Sequence, residues 1–330
     1  MQGCEELKIR FLLLLIVLTF SYEASPQNSG ITASFVDIGF GSRPMGMGGA
    51  FTGLANDVNA LMWNPAGLVS LRSQQAAFSF TNQLNLIQYH FLSFGMPLSS
   101  DQGLGLGLIY SGDKAMTEMT FQAGYAISFL NDFSVGVNLK YRFSTFGKNS
   151  LDPSEFRVFE QDEIQEGISN QVKGNGSGFG FDLGLLYRLN DQIQFGLMVK
   201  DIYSPIYWNS RVDNTAKQTK GSYSEIIPTE VSLGTSLRLI DNVVIDVDFS
   251  PSVYKYVTSK LSSGIEAKLV NIIFLRTGFQ HNPAVESNEK YMFGLGLDLN
   301  QIFDVNILID YSYMIENLAN TQRFSLGFSF

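Results

Sequence analysis

Two histidines, His90 and His281, and one cysteine, Cys4, bound the acid–base and nucleophilic chemistry open to this chain. A membrane-embedded hydrolase needs a histidine and a serine two residues apart on a strand, so that both side chains reach one face. The nearest pair, His90 and Ser93, is oddly spaced and falls on opposite faces. Both histidines read as rim residues. Glu160, Asp162, Glu163 and Glu166 gather carboxylates that suit calcium, but their spacing misses the EF-hand order and its central glycine. A solvated surface loop is the better reading. The glycines Gly46, Gly48 and Gly49 follow no buried strand and precede no Gly-Lys-Ser/Thr, so they do not form a phosphate loop. The expectation is no enzyme, no metal site and no cofactor.

The elements that carry these residues begin with a leader. Lys8 and Arg10 precede an apolar run, Phe11–Phe20, which small and polar residues follow through Ala24 and Ser25. Spanning a bilayer as a helix takes ~20 apolar residues, so this run is too short. The order basic, apolar, small predicts a secretory signal peptide over residues 1–24. Cys4 lies inside it, so the exported chain has no disulfide and no thiol ligand. The formal net charge is −9, which repels phosphate backbones and excludes a nucleic-acid partner.

From Gln74 onward the hydropathy alternates with period two. In Phe133–Phe146, Phe133, Val135, Val137, Leu139, Tyr141 and Phe143 share one face, opposite Ser134, Gly136, Asn138, Lys140, Arg142 and Ser144. Phe179–Leu189 and Phe303–Tyr313 repeat the pattern. Short polar turns at Ser99–Gln102, Asn131–Asp132, Asn190–Gln192, Asp241–Asn242, Asn271 and Asn300–Gln301 alternate with longer connections. These are Gly112–Glu118, Gly147–Asn175, Tyr203–Pro228, Pro251–Thr258, His281–Lys290 and Ile315–Thr321. Short turns on one side and long loops on the other belong to an outer-membrane barrel, with the apolar face toward lipid. The segments predict an all-β fold, a closed antiparallel barrel of about 14 strands over residues 74–330. The last strand alternates to Phe328 and Phe330, which reads as the signal taken by a barrel assembly machinery.

Residues 25–73 do not fit this pattern. Ser34–Leu68 is glycine-rich and irregular, and predicts a plug or hatch inside the barrel. Asn56 is expected to cap a short helix over Asp57–Met62 that Asn64-Pro65 ends. The stretch SRPMGMGGAFTGLANDVNALMWNPAGL resembles the N-terminal segment of the PorV/PorQ family, which belongs with the fatty-acid transporter FadL. Arg43, Gly46, Gly48, Gly49, Ala50, Asn56, Asp57, Asn64, Pro65, Ala66 and Gly67 carry the resemblance. Asn56-Asp57 departs from the paired acids common in that family, and Pro44 stiffens the turn after Arg43.

The resemblance implies an outer-membrane barrel of a Gram-negative cell. It implies either a protein-binding role in type IX secretion or surface attachment, or passive transport of hydrophobic molecules such as fatty acids and aromatics. The sequence leans toward the first. Its expected inner face holds Lys140, Arg142, Arg188, Lys200, Arg238, Lys268, Arg276 and Arg323 among Asp182, Asp246, Asp248, Glu266, Asp298, Asp304 and Asp310. Mixed charges of this kind hold a plug rather than line an apolar path. The aromatics Tyr203, Tyr207, Trp208 and Tyr223 suit either contact with a secreted cargo or secretion component or a place at the membrane boundary.

Overall fold

The computed structural model describes residues 38–83, 87–112, 116–130, 132–147, 172–213, 218–252, 258–283, 289–299, 306–317 and 319–330. The expected signal peptide and the acidic group Glu160–Glu166 lie outside the described residues.

Alternation makes the strands. In order they are β1 (Gln75–Gln83), β2 (Ile87–Ser99), β3 (Gln102–Gly112), β4 (Met116–Phe129), β5 (Phe133–Phe146), β6 (Val172–Arg188), β7 (Ile193–Lys200) and β8 (Pro205–Asp213). They continue as β9 (Gln218–Ile226), β10 (Glu230–Ile240), β11 (Val243–Ser250), β12 (Lys260–Leu269), β13 (Ile273–His281), β14 (Lys290–Asp298), β15 (Asn306–Ile315) and β16 (Thr321–Ser329). Neighbouring strands pair antiparallel, and β1 pairs with both β2 and β16, which closes the ring. Fourteen strands form the ring: β1 to β7 and β10 to β16. The fold is therefore the closed antiparallel barrel that the alternation predicts.

Large apolar side chains cover its outside. Leu92, Leu106, Phe121, Val137, Phe179 and Phe195 stand exposed on successive strands, as do Leu233, Ile265, Leu295 and Phe324 across the barrel. Leaving so much apolar surface in water would be very unfavourable, and a lipid phase removes that cost. Residues one step along the strands point inward, and many of them are polar and buried, among them Asn138, Lys140, Arg142, Asp182, Asp246 and Arg276.

Three details differ from the sequence reading. The connection Tyr203–Pro228 is not a plain loop but the hairpin β8–β9. Its first strand pairs Ile206–Val212 with the upper half of β6, while only Leu183–Arg188 of β6 pair with β7. Strand β6 also starts at Val172, so the end of the expected Gly147–Asn175 loop is strand. The alternation of short and long connections is looser than expected as well. Strand β1 ends at Gln83 and β2 begins at Ile87, and β3 ends at Gly112 and β4 begins at Met116, so two connections on the long-loop side are short.

Residues Ile38–Leu71 run inside the ring. They form helix α1 (Ser42–Gly46), helix α2 (Ala60–Trp63) and a 3-10 turn over Pro65–Ser70. Phe40, Met47, Phe51, Leu61 and Leu68 are fully buried. Leu54, Leu61 and Leu68 pack with Ala126 of β4, and Phe40 and Met62 pack with Tyr89, Phe91 and Ile109 of β2 and β3. The core is therefore the contact between this segment and the inner wall.

The wall gives way to the segment at glycines. A Cβ on Gly278 of β13 would overlap the Gly48 nitrogen, and Gly48 itself holds a left-handed φ of 74°. Only glycine on both sides lets the two backbones meet at that point.

Candidate functional site

The segment is tied to the wall through three groups of buried polar side chains. The first starts at Arg43 on α1. Its Nε and Nη2 donate to the two oxygens of Glu266 on β12, both at 2.8 Å, a bidentate match of guanidinium to carboxylate. Its Nη1 donates to Asn56 Oδ1 and Asp57 Oδ2, both at 2.7 Å. Arg276 on β13 then donates to Glu266 at 2.6 Å and to Asp310 of β15 at 2.6 Å. One chain of alternating charge thus runs Asp57, Arg43, Glu266, Arg276, Asp310. Burial opposes the charge on Arg43, but Glu266 and Asp57 outweigh it and raise its pKa above the ordinary arginine value. The guanidinium also lies over the Phe51 ring, 5.2 Å from its centroid.

A second group sits on β5 and β6. Lys140 reaches Asp182 at 2.7 Å, and Arg142 reaches Asp201 at 2.8 Å and Ser204 at 2.6 Å. Asn138 donates to Asp182 at 3.0 Å and to the Leu61 carbonyl at 3.2 Å, which joins this group to the segment.

The third group binds backbone. Asp248 accepts from the Phe51 and Thr52 amides at 2.9 and 2.8 Å, and Asp246 accepts from the Leu54 amide at 3.0 Å. Asn64 donates to the Thr52 and Leu185 carbonyls at 2.9 and 3.0 Å. Its side-chain oxygen caps the 3-10 turn that opens at Pro65, accepting from Ala66 at 3.2 Å. A buried carboxylate or amide left unpaired is costly, so these bonds fix where each loop of the segment lies.

The expected residues distribute unevenly over these groups. Arg43, Asn56, Asp57 and Asn64 are bonding partners; Gly46, Gly48, Gly49, Pro65, Ala66 and Gly67 shape the backbone between them. Asn56 caps no helix, because Arg43 takes its side-chain oxygen, and α2 begins only at Ala60 with no side-chain cap. Of the expected inner charges, Lys140, Arg142 and Asp182 come together, and Asp246 and Asp310 join the other two groups. Asp298, the last residue of β14, pairs with Lys268 at 3.8 Å, outside all three groups. Arg188 and Arg238 stand at the short-turn ends of β6 and β10 and, among the described residues, enter no ion pair. Strand ends lie beyond the packed middle of the lumen, which is why they escape it.

Among the aromatics expected to meet a partner, Tyr203, Tyr207 and Tyr223 are exposed. Trp208 is not. It turns inward onto Ile206, Ile227 and Phe146 and donates its indole N–H to Glu225, because hairpin β8–β9 needs a core of its own. His90 stands on the outer face among Phe78, Phe80 and Tyr110 instead of at the rim, while Ser93 is buried inside. Phe330 is exposed at the end of β16, its amide donating to the Gln74 carbonyl at 2.9 Å, and Phe328 lies opposite Ala76. Sequence reasoning missed Asp201 and Ser204, which follow the end of β7; Asp201 holds a left-handed φ of 53°, a conformation that Asp adopts more readily than most residues.

A family model described as type IX secretion system membrane protein PorP/SprF matches residues 56–330. The chain belongs to the PorP/SprF family. The family model does not single out the PorV/PorQ group that the N-terminal stretch resembles, and it bears out the coarser content of that resemblance, a type IX secretion membrane protein. No curated protein matches the chain. Solved structures share the fold of this PorP/SprF member at low identity. The CymD monoaromatic hydrocarbon channel aligns with a TM-score of 0.58 at 15% identity, over 89% of this chain and 98% of its own. The Pseudomonas putida toluene transporter TodX gives 0.58 at 14% identity, covering 88% and 96%. A Pseudomonas aeruginosa FadL homologue gives 0.59 at 13% identity, covering 88% and 98%. These likenesses speak to architecture, an outer-membrane-type barrel.

Proposed function

We propose that this protein is a non-enzymatic component of type IX secretion, seated in the outer membrane and closed by residues 38–71 acting as a plug. It works through protein contacts made outside the membrane. The observation that carries this reading is the Asp57–Arg43–Glu266–Arg276–Asp310 chain, which clamps the segment to three strands with contacts of 2.6 to 2.8 Å. A barrel filled and bonded in this way favours a docking platform over a conduit. The family match supplies the secretion context, and exposed Tyr203, Tyr207 and Tyr223 on and beside hairpin β8–β9 supply a surface for a cargo protein or secretion component. Hydrophobic uptake through a movable segment is the competing reading, favoured by the fold shared with hydrocarbon channels.

The test is purification from native membranes in mild detergent, read by native mass spectrometry. A type IX component or secreted protein that co-purifies, and is lost when residues 209–222 of the hairpin are removed, supports the platform. A bound fatty acid or aromatic with no protein partner overturns it in favour of transport.

A further inference from the structure

The arginines left out of the lumen clamp share one place. Arg188 at the end of β6 and Arg238 near the end of β10 line a cavity of about 350 Å³ with Arg72, which follows the inner segment. Asn56, Asn190, Gln192 and Gln194 complete much of its polar wall, and Asp191 is its only carboxylate among the described residues. None of the three guanidiniums has an ion-pair partner among the described residues, although the chain as a whole carries a formal charge of −9.

Strand parity says which way they face. Leu186 and Ser236 are buried inside the ring, and Arg188 and Arg238 lie two residues further along the same strands, so they share the inner face. Arg72 leaves the segment that fills the lumen. The three charges therefore gather toward the barrel axis and away from lipid, so a headgroup of the surrounding leaflet is not what they meet. The cavity opens at the end with the short turns, which in outer-membrane barrels faces the periplasm.

We propose that this cavity is a socket for an acidic segment of a periplasmic partner protein, with Arg72, Arg188 and Arg238 binding its carboxylates. The assignment of the partner to the periplasm rests on the outer-membrane reading above. The complementarity is of charge: three unpaired guanidiniums at the mouth of an acidic protein take an anionic chain and repel a basic one. Unpaired arginines also suit it chemically, since each can hold a carboxylate through two parallel N–H bonds.

The probe is a dye-labelled hexaglutamate peptide, followed by fluorescence anisotropy on the purified full-length protein at about 0.01 M and 0.15 M ionic strength. Folding of each variant is checked by heat-modifiable gel migration. The triple variant Arg72→Gln, Arg188→Gln, Arg238→Gln is expected to weaken binding at least ~10-fold, and Arg188→Gln alone to weaken it measurably. Lys173→Gln, Arg211→Gln, Lys220→Gln removes equal charge from the β6–β8–β9 side and is expected to leave binding unchanged. Equal binding by the Arg72/Arg188/Arg238 variant overturns the socket, and so does an equal loss in the control. Full displacement of the peptide by millimolar inorganic phosphate also overturns it, by making the cavity a small-anion site. None of these outcomes touches the hairpin-dependent co-purification, so the two readings fail separately.

Discussion

Replacing Arg43 by alanine removes the only charged group of the inner segment that grips the far wall of the clamp. Four hydrogen bonds go with it, two to Glu266 and one each to Asn56 and Asp57. Breaking a buried ion pair by deleting one partner costs ~3–5 kcal/mol. The lower end applies here, because Arg276 still neutralises Glu266 at 2.6 Å and Asp57 keeps the Asn59 amide at 2.8 Å. A loss of about 3 kcal/mol moves the balance between seated and unseated segment by ~150-fold. The assay is planar-bilayer conductance. Wild-type protein is expected to be nearly silent, and Arg43→Ala to open far more often. Adding Glu266→Gln to Arg43→Ala should cost less than the two single changes together, with a coupling of about 2 kcal/mol. Folded Arg43→Ala protein as silent as wild type would refute the clamp.

Other outcomes follow from the same packing. Gly278→Val puts a side chain where the Gly48 backbone lies, and is expected to block seating of the segment, seen as protease cleavage between residues 38 and 71. Trp208→Ala empties the core of hairpin β8–β9, an expected loss of ~3 kcal/mol read as selective proteolysis of the hairpin with the ring intact. Removing Phe330 is expected to lower the yield of membrane-inserted barrel and leave translation unchanged; equal yield would rule out its role in assembly.

The ring was legible because lipid on one side and a polar lumen on the other force strict alternation, as Phe133–Phe146 shows. Hairpin β8–β9 was not, since Asn209, Ser210, Gly221 and Ser222 never alternate with apolar residues. A strand outside the closed ring has no lipid to face, so its sequence carries no such imprint. The inner charges were legible as a set but not as pairs. Lys140 and Asp182 meet because β5 and β6 pair in register, Asn138 opposite Asp182, and register is a tertiary property. The inward glycines are a further case. Gly136 and Gly278 each mark a place where the segment's backbone presses on the wall, which strand alternation alone does not show.

The central claim is that residues 38–71 stay seated while the protein works. Ser42 on α1 and Ser325 on β16 place their hydroxyl oxygens 2.8 Å apart, so Ser42→Cys with Ser325→Cys can join segment and wall by a disulfide. Type IX secretion by cells carrying only this variant is the measurement, compared oxidised and after reduction. Equal secretion is expected in both states. Secretion lost on oxidation and restored by reductant would show that the segment must move, and would contradict that claim.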